Sequence, residues 1–138
     1  LKKTSAPAYL DAKIAMDLKT KTKKLAQNLN LCGVLAIELF ELLDGNILFN
    51  EIAPRPHNSF HWTLNGCNSS QFDILIRTIC GLPVKDVCCN GKWEMTNLIG
   101  QDVNNIDLYK DQNYILHIYG KKNVIAGRKM GHFNKNIS

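Results

Sequence analysis

The sequence contains no run of 18 apolar residues, so it offers no candidate for a membrane-spanning helix. Its first residues, LKKTSAPAYLD, have neither an initiator Met nor the apolar core of a signal peptide. The expectation is a soluble, cytoplasmic chain whose beginning lies upstream. No two cysteines stand at CxxC spacing, and the five present (Cys32, Cys67, Cys80, Cys88 and Cys89) are an odd number with no His at finger spacing. A structural zinc and a disulfide framework are therefore not expected. Cys32 and Cys80 lie in apolar runs and are read as small core residues in a reducing compartment. Internal repeats, low-complexity tracts and the DxDxDG spacing of a calcium loop are also missing.

What is present suits one ordinary domain or part of a larger one: 138 residues, 45% of them apolar, enough for a core. The net charge of +5 conceals a pattern. Residues 1–30 carry seven Lys against Asp11 and Asp17, residues 31–111 carry ten acids and five bases, and residues 112–138 have five Lys or Arg and no acid. Basic ends around an acidic centre fit nucleic acid, and equally fit a site where carboxylates face cations that hold anions. The N-terminal lysines by themselves read as a solvated helix face.

Leu10, Ile14, Leu18, Leu25 and Leu29 form a helical stripe after Pro7, a residue suited to a helix start. LCGVLAIELFELL and NILFNEIA flank Asp44-Gly45, a strong hairpin signal. SSQFDILIRTICGLP predicts a second helix, capped by Ser69 or Ser70 and stopped at Gly81-Leu82-Pro83. Beyond a boundary between Pro83 and Gly91, MTNLIG, YILHIYG and KNVIAG read as short strands, with NIDLYK as a helical turn. This order predicts an α+β fold with domains at 1–82 and 83–138.

The hairpin carries two carboxylates. With Asp44-Gly45 as a two-residue turn, Glu38 stands opposite Glu51; shifting the turn to Gly45-Asn46 makes them diagonal neighbours, and only an odd-length loop separates their faces. Like charges so placed repel unless something cationic lies between them. With Asn50 beside one of them, the pair suits Mg²⁺, which takes one or two protein carboxylates and completes its shell with water and phosphate oxygens. The alternative is two solvated glutamates paired with lysines. Downstream, Pro54 and Pro56 bias Ala53 and Arg55 to extended geometry, so Arg55 and His57 project in a defined way beyond Glu51. A guanidinium matches a planar oxyanion, bicarbonate for example, bidentately, and His57 with Asn58 could add donors or a proton. The other reading is an exposed Arg and a His packed beside Trp62. The stretch YGKKNVIAGRKMGH sets Lys121 seven residues before Arg128 across a turn, which without further information reads as a basic hairpin in solvent.

GVLAIELF, LFNEIAPRPHNSFHWT, TNLIGQDV and GRKMGHFN, in this order and spanning about Ala6 to Asn134, together resemble the carboxyaminoimidazole ribonucleotide synthase family of ATP-grasp ligases. The resemblance implies the second half of an ATP-grasp domain followed by a small, incomplete β-rich domain. It also implies ATP- and bicarbonate-dependent carboxylation of 5-aminoimidazole ribonucleotide through carboxyphosphate, with homodimers and without nucleic acid or membrane partners. Glu38 and Glu51 would then hold Mg²⁺, or Mn²⁺, on the ATP phosphates with Asn50 adjacent; Arg55, His57 and Asn58 would receive bicarbonate; Lys121 and Arg128 would bind the 5′-phosphate. Gly120 departs from the acid common in the family, and the glycine-rich lid and most adenine contacts would lie upstream, so this portion alone is expected to be inactive. PRPH also occurs in formate-dependent glycinamide ribonucleotide transformylases, the nearest rival. A basic nucleic-acid-binding module, with Tyr114 and Tyr119 as its only stacking candidates, is the alternative of a different class.

Overall fold

The computed structural model describes residues 1–109 and 113–138. None of the described helices is long and apolar enough to cross a membrane. Contacts divide the chain into two compact units, one of residues 1–8, 61–70 and 87–138, the other of residues 9–60 and 71–86. The units interleave along the sequence, whereas the sequence reading divides the chain once, after Leu82. An N-terminal strand, β1 (Lys3–Ala6), which the sequence reading does not contain, joins the unit built mainly from the C-terminal residues.

In that unit a four-stranded antiparallel sheet runs in the order β1, β4 (Trp93–Ile99), β6 (Lys129–Asn136), β5 (Tyr114–Ile118). β6 is central and buried from Met130 to Asn134, so its sequence lacks the alternation that marks a half-solvated strand. The expected strand KNVIAG is instead a loop. Gly120 and Gly127, at φ +63° and +76°, bend the chain at both of its ends, and the pairing strand begins only at Lys129. Met95, Leu98, Met130 and Phe133 form the apolar core of this unit, with Asn97, His132 and Asn134 fully enclosed among them. The expected helical turn NIDLYK belongs to a 3₁₀ segment, Gly100–Tyr109, and Lys110 lies outside the described residues. A short helix, α2 (Thr63–Gly66), completes the unit.

The second unit contains α1 (Ala12–Asn28), the hairpin of β2 (Ala36–Glu41) and β3 (Ile47–Ala53), and α3 (Gln71–Ile79). Asp11 caps α1 by accepting from the backbone N–H groups of Lys13 and Ile14 at 2.9 and 3.2 Å, so the helix starts at Ala12, five residues after Pro7. Its apolar stripe, Ile14, Leu18 and Leu25, lines a cleft of about 570 Å³ together with Ile37, Leu39 and Phe49 of the hairpin. α3 ends where expected, with Gly81 at φ +64°. Cys32 and Cys80 are exposed, not core. Cys80 directly follows α3 and Cys32 lies in the connection between α1 and β2, so the apolar neighbours that suggested burial do not enclose them.

Candidate active site

The hairpin loop is not the two-residue turn that Asp44-Gly45 suggests. Leu42 N–H bonds to Asn46 O at 2.8 Å around a three-residue loop, Leu43-Asp44-Gly45, in which Gly45 takes φ +82° and the Asp44 carboxylate accepts from Asn46 N–H at 3.0 Å. An odd loop pairs residues whose numbers sum to 88, as Leu39↔Phe49 and Glu41↔Ile47 do. Continued, that register would place Glu38 and Glu51 on opposite faces. The register shifts between Glu38 and Leu39, because Asn50 is an extra residue in β3, and beyond this bulge Glu38 pairs with Glu51. The two glutamates thus share one face, the one turned away from Ile37, Leu39 and Phe49.

Repulsion between the carboxylates is offset by two neighbours. Asn50 Nδ2 donates to Glu38 Oε2 at 3.2 Å, and the ring of His57 lies between the acids, Nε2 3.0 Å from Glu51 Oε1 and Nδ1 3.4 Å from Glu38 Oε1. Nδ1 also meets the Ser59 hydroxyl at 2.8 Å and the Ser59 N–H at 3.4 Å. The backbone N–H can only donate, so in the neutral ring Nδ1 is the acceptor and Nε2 carries the proton that Glu51 receives, which leaves Asn50 as the donor to Glu38. His57 is only 9% exposed. It is therefore a partner of the carboxylates in this structure, where the sequence reading gave it an outward role toward an anion.

The loop that delivers His57 is clamped by a residue the sequence reading used only as part of a helix start. Gln71, at the first position of α3 and itself buried, accepts from His57 N–H at 2.8 Å and donates to His57 O at 2.9 Å. Neither Gln71 nor Ser59 carries a local signal, since both contacts depend on where α3 and the loop meet. Replacing Gln71 with Ala leaves the buried His57 N–H unpaired, and we expect destabilisation of roughly 1–3 kcal/mol in urea titration.

Glu38, Glu51 and His57 present donor atoms that all lie within 4.8 Å of one another. Two carboxylates on a rigid ribbon fit a hard divalent cation completed by water and phosphate oxygens, and an imidazole nitrogen at the same place also suits Mn²⁺. Arg55 is exposed, with Nη1 donating to Pro56 O at 3.0 Å, and Asn58 is half-buried beside His57 in sequence.

The other site residues belong to the sheet unit. Lys121 Nζ donates to Lys129 O at 2.6 Å and lies 5.4 Å from the Tyr119 ring centroid, which fixes its ammonium beside the start of β6. Arg128, immediately before β6, is exposed, and its carbonyl accepts from Gly100 N–H at 2.8 Å. Tyr119 and Tyr114 are engaged within the unit: the Tyr119 hydroxyl meets His132 Nδ1 at 2.8 Å, and Tyr114 packs edge-on against Phe133 at 4.8 Å.

Residues 1–72 match the ATP-grasp domain family, and residues 94–136 match the phosphoribosylaminoimidazole carboxylase C-terminal domain family. Curated relatives include the N5-carboxyaminoimidazole ribonucleotide synthases of Brucella melitensis, 41% identical over 96% of this chain, and of Bacillus subtilis, 44% identical over 91%. The chain spans only 37% and 34% of their respective lengths. A crystal structure of an N5-carboxyaminoimidazole ribonucleotide synthetase with ADP superimposes with a TM-score of 0.91 at 38% identity, covering 98% of this chain and 36% of that one. The Aspergillus clavatus enzyme with ADP and 5-aminoimidazole ribonucleotide gives 0.81 at 32% identity, covering 98% and 38%. The chain belongs to the ATP-grasp family, in the branch whose members carry a phosphoribosylaminoimidazole carboxylase C-terminal domain.

Proposed function

We propose that this chain supplies the metal-holding hairpin and the ribonucleotide-phosphate site of an ATP-dependent ligase that carboxylates 5-aminoimidazole ribonucleotide. Bicarbonate takes the γ-phosphoryl group of ATP to give carboxyphosphate and ADP; the carboxyl group then passes to the exocyclic amine of the ribonucleotide and phosphate leaves. The observation that carries this reading is the opposed Glu38–Glu51 pair with Asn50 and His57 around it.

In this reading Glu38 and Glu51 hold Mg²⁺, with Mn²⁺ as a substitute. When bound, the ion neutralises charge that develops on the ATP phosphates during phosphoryl transfer. Asn50 and His57 orient the two carboxylates. Arg55, free of any acidic partner among the described residues, swings from its own backbone contact to grip bicarbonate and carboxyphosphate, with Asn58 as the further donor, while His57 serves this site through the carboxylate it holds. Lys121 and Arg128 bind the 5′-phosphate; the anchored ammonium of Lys121 and the exposed guanidinium of Arg128, both next to Lys129, support that assignment. The 1–82 and 83–138 division is proposed as the boundary between the two family domains, and a cytoplasmic homodimer as the state of the full-length protein.

The test is phosphate release by a full-length enzyme carrying this segment, with ATP, Mg²⁺ and bicarbonate. Release stimulated by 5-aminoimidazole ribonucleotide is expected. Stimulation by formate with glycinamide ribonucleotide instead would replace this reading with its nearest rival. In the same assay Arg128→Ala should raise KM for the ribonucleotide about tenfold or more while kcat changes less, as removal of a ground-state phosphate contact requires.

A further inference from the structure

Two thiols outside this site face each other across a short ladder. Cys67, which follows α2, forms an isolated antiparallel bridge with Cys89, just before β4. The flanking hydrogen bonds run from Asn68 N–H to Cys88 O at 3.0 Å and from Asn90 N–H to Gly66 O at 2.7 Å. Bonds on both sides and none within make Cys67 and Cys89 a non-hydrogen-bonded pair, the class with Cα atoms about 4.5 Å apart and side chains closest. That separation lies at the short end of the range a disulfide spans. Neither sulfur is in a disulfide, and Cys89 is exposed. Cys88 is adjacent in sequence, but alternation along an extended chain turns it to the other face.

We propose that Cys67 and Cys89 are a reversible disulfide pair that staples the α2 segment to the strand edge before β4. The exposed Cys89 thiolate attacks one sulfur of a low-molecular-weight disulfide such as glutathione disulfide, expelling one glutathione thiolate and leaving a mixed disulfide. The half-buried Cys67 gives up its proton, attacks the Cys89 sulfur and displaces the second glutathione. Two protein thiols are oxidised, one glutathione disulfide is reduced to two thiols, and the two protons leave with them. Every step is thiol–disulfide exchange and so runs backwards when reduced glutathione is in excess, which returns both residues to thiols.

The staple has a structural target. Asn65 Oδ1 meets His117 Nε2 at 2.9 Å and accepts from Asn134 Nδ2 at 2.6 Å, and Gly66 lies so close to Trp62 and Trp93 that a Cβ there would stand 2.7 and 2.8 Å from their rings. A cross-link one residue further on holds these contacts in place.

The full-length protein carrying this segment is equilibrated with glutathione redox buffers, acid-quenched, and mapped by mass spectrometry without reduction, while hydrogen exchange is followed at Asn68 and Asn90. We expect a Cys67–Cys89 linkage, reversed by excess reduced glutathione, retained in Cys88→Ser and lost in Cys67→Ser and Cys89→Ser. Exchange at both amides should slow by about tenfold or more on oxidation of the wild type, and not in Cys67→Ser. A stable mixed disulfide on Cys89, a preferred Cys67–Cys88 linkage, a bond that excess glutathione leaves intact, or unchanged exchange in the linked protein would overturn the proposal.

Discussion

Glu51→Gln in the full-length enzyme should lower Mg²⁺-dependent ATP turnover by at least about 10²–10³-fold. This corresponds to the several kcal/mol of charge stabilisation that a correctly held divalent ion contributes to phosphoryl transfer. The substitution is chosen because little else changes. Glutamine keeps the length of the side chain and an oxygen to accept the His57 Nε2 proton now 3.0 Å from Glu51, so the loop and its Gln71 clamp stay in place. Half of the negative charge facing the ion disappears. Folding stability should hold or rise slightly, because the repulsion with Glu38 is relieved. Glu38→Gln should behave similarly. Glu41→Gln is the control: it lies on the same strand, paired with Ile47 and outside the carboxylate cluster, and should leave turnover unchanged. Phosphate release measured across a Mg²⁺ titration separates these cases, and wild-type rates for Glu51→Gln would remove the metal assignment.

The second large effect concerns acid. His132 is 1% exposed in the centre of β6, stacked on His117 at 4.6 Å and 5.3 Å from His61. Burial, reinforced by the two neighbouring imidazoles, pushes its pKa down to about 3. Burial lowers that of His117 as well. The unfolded chain, with a pKa near 6.5, therefore binds more protons than the folded one between about pH 3 and 6.5. Stability is complete above that window and is lost as the pH falls through it, by up to about 1.4 kcal/mol per unit for His132. From pH 7 to pH 5 the loss should be about 2 kcal/mol, read by urea titration of the fluorescence of Trp93, which is buried in the same unit. His132→Phe keeps an aromatic ring but cannot titrate, and should flatten the pH dependence by one proton. An unflattened slope would assign the acid sensitivity elsewhere.

Local pattern determined a good deal of this protein. The α1 stripe, the stop after α3, the hairpin around Asp44-Gly45 and the nearness of Asn50 to Glu51 follow from periodicity and turn chemistry, which act over a few residues. Family-specific blocks did the same for lineage. What local pattern could not contain was phase. An odd loop turns one glutamate away and an extra residue at Asn50 turns it back. Side chains alternate with a period of two, so each single-residue shift reverses every face, and where a bulge falls is settled by packing and not by the residues beside it. The sequence placed Glu38 and Glu51 together through a turn that the molecule does not use. In the same way β6 escaped notice because it is covered on both sides, so burial erased the alternation that reveals a strand. His57 took its inward place because Gln71, fourteen residues later, reaches back to its backbone, a contact that exists only once α3 has docked.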